Sequence, residues 1–307
     1  MKIGYLILAH NDPKHLERMV QSLNMGKDHT HFFIHIDKKS DIGEFNMLNE
    51  FENVSFITNR VNIERVGMSM VETYLKILDF AEKSGICSER YVFLAGSNYP
   101  IVNNKEIFKY LDNDIQFMKA FRITNSIQER KIREYYFHDI FLINRTVSLF
   151  IRRVLRKLNY FRRKNPYVSV EGEKWEVYYG SQWFGITCDC AKYILAFTDK
   201  HPEFYKYFKH AHVPSELYFH TIIYNSTFCQ NCISNDENTT VLVELSPINF
   251  HIYSKKQGEG ARFLNENDYI KITSSGRLFF GKVKTGLSDI LLEQIDEHRK
   301  INNDNSI

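Results

Sequence analysis

The chain is predicted to fold as a Rossmann-like α/β protein, a mostly parallel sheet with helices on both faces. Three observations lead there. Short, mostly apolar runs at Ile3–Leu8, His31–Ile36 and Tyr91–Ala95 read as strands buried on both sides. Amphipathic helical segments alternate with them. Finally, 307 residues with 43% hydrophobic and 25% charged side chains suffice for one large α/β core.

The elements follow in order. Strand one, residues 3–8, runs into Asp12-Pro13, a helix cap followed by a proline suited to the first turn, so a helix is expected to about Leu23. A second strand covers 31–36 and a third 54–58. A helix from Ser69 to Lys83 precedes the strand at 91–95. Ligands of such sheets bind beyond the carboxyl ends of the strands. That singles out Ala9-His10-Asn11, Asp37-Lys38-Lys39 and Gly96-Ser97-Asn98-Tyr99-Pro100.

The second half is less regular. Gly180–Phe184 lies in or beside a strand, Pro214 opens a helix to about Tyr224, and a polar helix spans roughly 287–300. No linker or repeat is visible, so one domain is expected. Its regular first half covers about 1–125, its less regular second half about 126–285, and a C-terminal helix the rest.

Net charge is only +3, but eight basic and no acidic residues lie between Arg145 and Lys164, with Phe150, Ile151, Val154, Leu155, Leu158 and Phe161 at helical spacing. This reads as a basic amphipathic helix. Binding of nucleic acid through it would leave the motifs below unexplained. The five cysteines are read as reduced thiols; a four-thiolate zinc site from Cys188, Cys190, Cys229 and Cys232 is the alternative set aside. His210 and His212 read as solvated histidines at a helix end rather than a metal pair. The opening run stops at Asp12-Pro13, too early for a spanning helix, which favours a bacterial cytoplasmic location.

Six segments, in one order from residue 3 to 284, carry a resemblance. They are Tyr5-Leu-Ile-Leu-Ala-His-Asn-Asp-Pro13, Ile34-His-Ile-Asp-Lys-Lys-Ser40, Phe93-Leu-Ala-Gly-Ser-Asn-Tyr-Pro100, Gly180-Ser-Gln-Trp-Phe184, Pro214-Ser-Glu216 and Leu278-Phe-Phe-Gly-Lys-Val283. Together the chain resembles the core-2/I-branching β-1,6-N-acetylglucosaminyltransferases and peptide O-xylosyltransferases, the Branch family. The resemblance implies a GT-A-type fold, an inverting and metal-independent glycosyl transfer, and a UDP-sugar donor with no cofactor.

Residue by residue, it implies Glu216 as catalytic base, Lys282 on the diphosphate and Asp37 on the nucleoside. Arg65 stands where an aromatic residue is common near the nucleotide; the half up to about residue 125 is implied to bind the nucleotide, and that at about 126–285 to hold the acceptor and the catalytic group. Arg262 is the first choice for a second diphosphate cation, with Lys255 or Lys256 behind it. Asn98, Ser181, Gln182 and Trp183 are expected at the acceptor or the cleft floor. Asn98 departs from the Asp usual in its loop, and Gly281 from an Arg beside Lys282. The one Asp-x-Asp, Asp112-Asn113-Asp114, reads as a solvated turn rather than a metal motif. The expected reaction moves a sugar, N-acetylglucosamine first among candidates, onto a glycan hydroxyl in surface polysaccharide synthesis. The acceptor could be lipid-linked, which gives the 145–164 stretch a role at the anionic inner face of a membrane. The alternatives are another donor such as xylose, or an inactive glycan- or nucleotide-binding protein.

Overall fold

The computed structural model describes residues 1–139, 165–233, 244–254 and 260–304, together with Val147, Phe150, Ile151, Arg153, Val154 and Lys157. At its centre are β1 (Ile3–Ala9), β2 (Thr30–Ile36), β3 (Val54–Phe56) and β4 (Arg90–Ala95), all parallel in the order β4-β1-β2-β3. The antiparallel strand β10 (Gly185–Thr187) closes the β4 edge. Between them in sequence lie β5 (Asn98–Pro100), β6 (Ala120–Arg122), β7 (Tyr167–Val170), β8 (Glu173–Glu176) and β9 (Tyr178–Gly180). β6 pairs with β9, and β7 with β8. A second small sheet places β12 (Phe279–Gly281) between β11 (Asn249–His251) and β5.

The fold class is the one expected, and side-chain alternation explains why the strands are largely apolar on both faces. Leu6, Phe33 and Phe93 join one buried cluster with helix α2 (Ser69–Lys83); Tyr5, Ile7, Ile34 and Leu94 join another with α1 (Pro13–Leu23). Both faces of the sheet are therefore covered, which requires apolar residues at successive positions. Asp12 caps α1 by accepting from the His15 amide at 3.3 Å.

Several boundaries differ from expectation. β3 ends at Phe56: Ile57 still donates to Ile34, but the chain then turns at Thr58–Arg60. Gln116 and Phe117 make only single bridges, to Cys232 and Gly185. Short helices α3 (Asn104–Leu111) and α4 (Arg130–Arg133) precede these second-half strands, and α5 (Cys188–Lys200) and α6 (Pro202–Phe208) follow β10. Pro214 opens only a 3-10 turn to Glu216, with a break at Leu217 (φ −120°) before α7 (Tyr218–Tyr224). After α8 (Tyr269–Thr273), the last helix α9 is Asp289–Asp304, starting two residues late because the Ser288 hydroxyl is engaged by Lys284 and Leu264.

Most of the 145–164 stretch lies outside the described residues, as do Lys255 and Lys256. The six described residues of that stretch are helical, with Phe150 66% exposed. Among the described residues, no helix is long and apolar enough to cross a membrane.

Candidate active site

The carboxyl ends of β1, β2 and β4 form one rim. Asp37 donates its amide to Ala9, and Gly96 donates to Leu8, at 2.8 Å each. A Cβ on Gly96 would come within 2.7 Å of the Ala9 side chain, so only glycine lets the two strand ends pass. Asp37 is 5% exposed; its carboxylate accepts from the amides of Lys39 (2.9 Å) and Ile63 (3.3 Å) and pairs with the Lys39 ammonium at 3.7 Å. Asp37 thus ties the loop at 60–66 to the strand end. That loop carries Arg65.

Across the rim, β12 delivers Lys282. Its ammonium is half-buried and lies 5.9 Å from the Phe263 ring. Burial, then the neighbouring Arg65 charge, holds Lys282 below the usual ammonium range. His10 lies within electrostatic reach of Asp37, Lys39 and Lys282. The backbone at Gly260 (φ +74°) passes against Arg65, whose Nη2 would sit 2.3 Å from any Cβ there. Lys282 and Arg65 therefore converge, and like charges held together favour an anion between them.

Arg262 is placed differently from the expectation. Its guanidinium grips the buried Asp268 carboxylate in a two-point pair, at 2.9 and 2.5 Å. Asp268 also closes a capping box at Asn265, so Arg262 serves the local turn before α8. Asn98 is likewise framework: it is fully buried, accepts from the Ala95 amide at 2.7 Å and donates to Phe280 at 3.5 Å. A Cβ at position 281 would lie 2.4 Å from the Asn98 amide nitrogen. Two of the residues at which the sequence departs from the family pattern, Asn98 and Gly281, are thus packed against each other.

The cleft floor hangs from the core by Phe184, which stacks on Phe93 at 4.2 Å between ring centres and accepts the Phe93 amide. The preceding residues are thereby fixed. Ser181 is buried and accepts from the Trp183 amide; Gln182 accepts from the Ser215 hydroxyl at 3.3 Å; Trp183 lies flat on His251 at 3.8 Å. This links the Ser-Gln-Trp segment to the turn bearing Glu216.

Glu216 is 8% exposed. Its turn begins at Val213, a β-branched residue in the left-handed region (φ 52°), a conformation that costs about 1–3 kcal/mol. Val213 is held there by the hydrogen bond its amide donates to the Val66 carbonyl, next to Arg65. Burial raises the Glu216 carboxyl above the usual range; the Lys131 charge and hydrogen bonds from Tyr179 and Lys131 oppose this. Lys131 Nζ lies 3.4 Å from Glu216 Oε2. Tyr253 is within electrostatic reach of both Glu216 and Arg65, so the carboxylate and the cation lie in one neighbourhood. Chemically, that offers a proton acceptor at one end and stabilisation of a departing anion at the other.

Sequence reasoning missed Lys131, Tyr179, His251 and Tyr253. Tyr179 and His251 adjoin elements already noticed, but Lys131 has no local signal. His210 and His212 are partly exposed and also fold back on residues 135–138, with His212 Nδ1 2.9 Å from His138 Nε2 and His210 packed on Phe137. Cys188 faces Glu82 at 3.5 Å, whereas Cys190 is buried near Cys232. Among the described residues, no three His, Cys, Asp or Glu side chains are grouped to hold a metal.

Residues 3–257 match the profile of the Branch family, described as Core-2/I-Branching enzyme, and the chain belongs to that family. It is similar to xylosyltransferase 1 of Rattus norvegicus, 26% identical over 251 residues covering 78% of this chain and 28% of that protein. It is also similar to xylosyltransferase 2 of Homo sapiens, 24% identical over 249 residues, with 78% and 26% covered. The chain spans about a quarter of the length of these curated relatives. Among solved structures it has a slight likeness to S. aureus TarS in complex with UDP-GlcNAc (17% identity, TM-score 0.27, 36% of this chain and 30% of that one). A cytidylyltransferase from Leptospira borgpetersenii gives 13% identity and a TM-score of 0.29, with 67% and 71% covered. At such TM-scores neither bears on the site.

Proposed function

We propose that the chain is an inverting glycosyltransferase that moves a sugar from a UDP-sugar to a hydroxyl of a glycan acceptor, forming a β linkage. The observation that carries this reading is Glu216, a buried carboxylate with a raised pKa in the same cleft as Lys282 and Arg65. Family membership supports the donor class. In the proposed step the acceptor oxygen attacks the anomeric carbon and gives its proton to Glu216. The bond from that carbon to the diphosphate breaks, and the electron pair leaves with UDP, whose charge Lys282 and Arg65 stabilise. Asp37 is assigned to the nucleoside, and Ser181, Gln182 and Trp183 to the cleft floor.

N-acetylglucosamine is the first choice of sugar. The names of the relatives favour xylose as a second reading. The reaction is proposed to need no metal: Asp112 and Asp114 lie in an exposed turn held by Arg90, which opens β4. The strand's length puts that turn roughly 16 Å from the donor rim at the far end. The acceptor is proposed to be a glycan under construction, lipid-linked at an anionic membrane surface that the 145–164 stretch contacts from the cytoplasmic side.

The test is UDP release and product formation from UDP-N-acetylglucosamine and UDP-xylose in excess chelator. Turnover of either donor is expected, with the preferred one identifying the sugar. Activity that vanishes with chelator and returns with manganese refutes metal independence; no turnover or UDP binding at all refutes the transferase reading.

A further inference from the structure

Glu216 does not stand alone. Lys131, from α4, reaches its Oε2 at 3.4 Å, and both side chains are largely out of solvent, at 16% and 10% exposure. The same ammonium lies 4.8 Å from the centre of the Tyr179 ring, on β9. The Tyr179 hydroxyl donates to Glu216. Ammonium, ring and carboxylate therefore form a closed triangle, in which the attraction of the cation to the ring face fixes where the charge sits. The backbone reinforces it: the His212 amide donates to the Lys131 carbonyl at 2.7 Å, two residues before Pro214.

We propose that Lys131 is a positioning residue whose charge keeps Glu216 ionised in its buried setting, so that it can accept a proton near neutral pH. The proposal rests on Glu216 being the base. The physical need is plain: a carboxylate taken out of water without a counter-charge takes up a proton and ceases to be a base. Among the described residues, the titratable groups facing Glu216 are Lys131, Tyr179 and Tyr253. Both tyrosines are held neutral by burial. Lys131 is thus the one cation of the three.

The test needs no known acceptor. Infrared difference titration of the full chain against Glu216→Gln isolates the Glu216 carboxylate band and gives its midpoint. Lys131→Met, and Lys131→Gln should Met impair folding, are expected to move that midpoint upward by about 1–3 pH units, as loss of a close opposite charge does. Lys131→Arg should restore it. A midpoint unmoved by removing the charge overturns the proposal, because a merely structural lysine would leave it in place. Failure of the underlying reading shows separately, as full transfer by Glu216→Gln whatever the titration gives.

Discussion

Gly180→Ala probes how the cleft floor is attached. Gly180 ends β9 opposite Ala120, and a Cβ there would sit 2.3 Å from the Lys119 carbonyl oxygen and 2.4 Å from the His220 imidazole. His220 is fully buried and could shift only into packed core; the carbonyl is main chain and no rotamer relieves it. Overpacking of this kind costs about 1–3 kcal/mol, and contact with backbone places this case near 3. At about 2–4 °C per kcal/mol for a large domain, the melting temperature should fall by about 6–12 °C. Gly185→Ala is the internal control, since its Cβ would meet nothing closer than 3.7 Å. Adding His220→Ala to Gly180→Ala should recover only part of the loss. Thermal melts of the three variants decide it: Gly180→Ala within 2 °C of wild type, or full rescue by His220→Ala, refutes the reasoning.

Two further predictions concern histidines and cations. Burial pushes His220 and His251 down to about 3, so the unfolded chain binds protons that the fold refuses between the ordinary value of 6.5 and that point. Stability is therefore complete well above 6.5 and lost as pH falls, by about 3 kcal/mol for the pair between pH 6.5 and 5; a melting temperature that stays level from pH 7 to 4.5 contradicts this. For the diphosphate, Arg65→Ala and Lys282→Ala should each weaken UDP binding by about 10- to 100-fold, from the roughly 1.5–3 kcal/mol of a charge-assisted contact. Arg262→Ala should instead lower stability, and calorimetry showing the reverse order would restore Arg262 as the second cation.

The first half of the chain was legible because its signals are long. β1, β2 and β4 are largely apolar and buried on both faces, and α2 keeps one face through fifteen residues, so Ser69–Lys83 is found as expected. The sheet of β5, β11 and β12 was not, since three-residue strands carry no period to count. Glu216 was found through its motif, whereas Lys131 lies in a run of mixed charge, Glu129-Arg-Lys-Ile-Arg-Glu134, in which nothing local separates a buried cation from solvated ones. Arg262 and Arg65 were both legible as cations. Only the fold reveals that Asp268, six residues on, claims the first.

Glu216→Gln tests the central claim most directly, because it preserves shape and hydrogen bonding while removing basicity. Initial rates of sugar transfer and UDP affinity would be measured together for wild type and variant. Loss of a general base predicts a fall in kcat of about 10²–10⁴-fold with UDP affinity nearly unchanged. Wild-type turnover in the variant, or a loss explained wholly by weaker UDP binding, would contradict the assignment of Glu216 as the base.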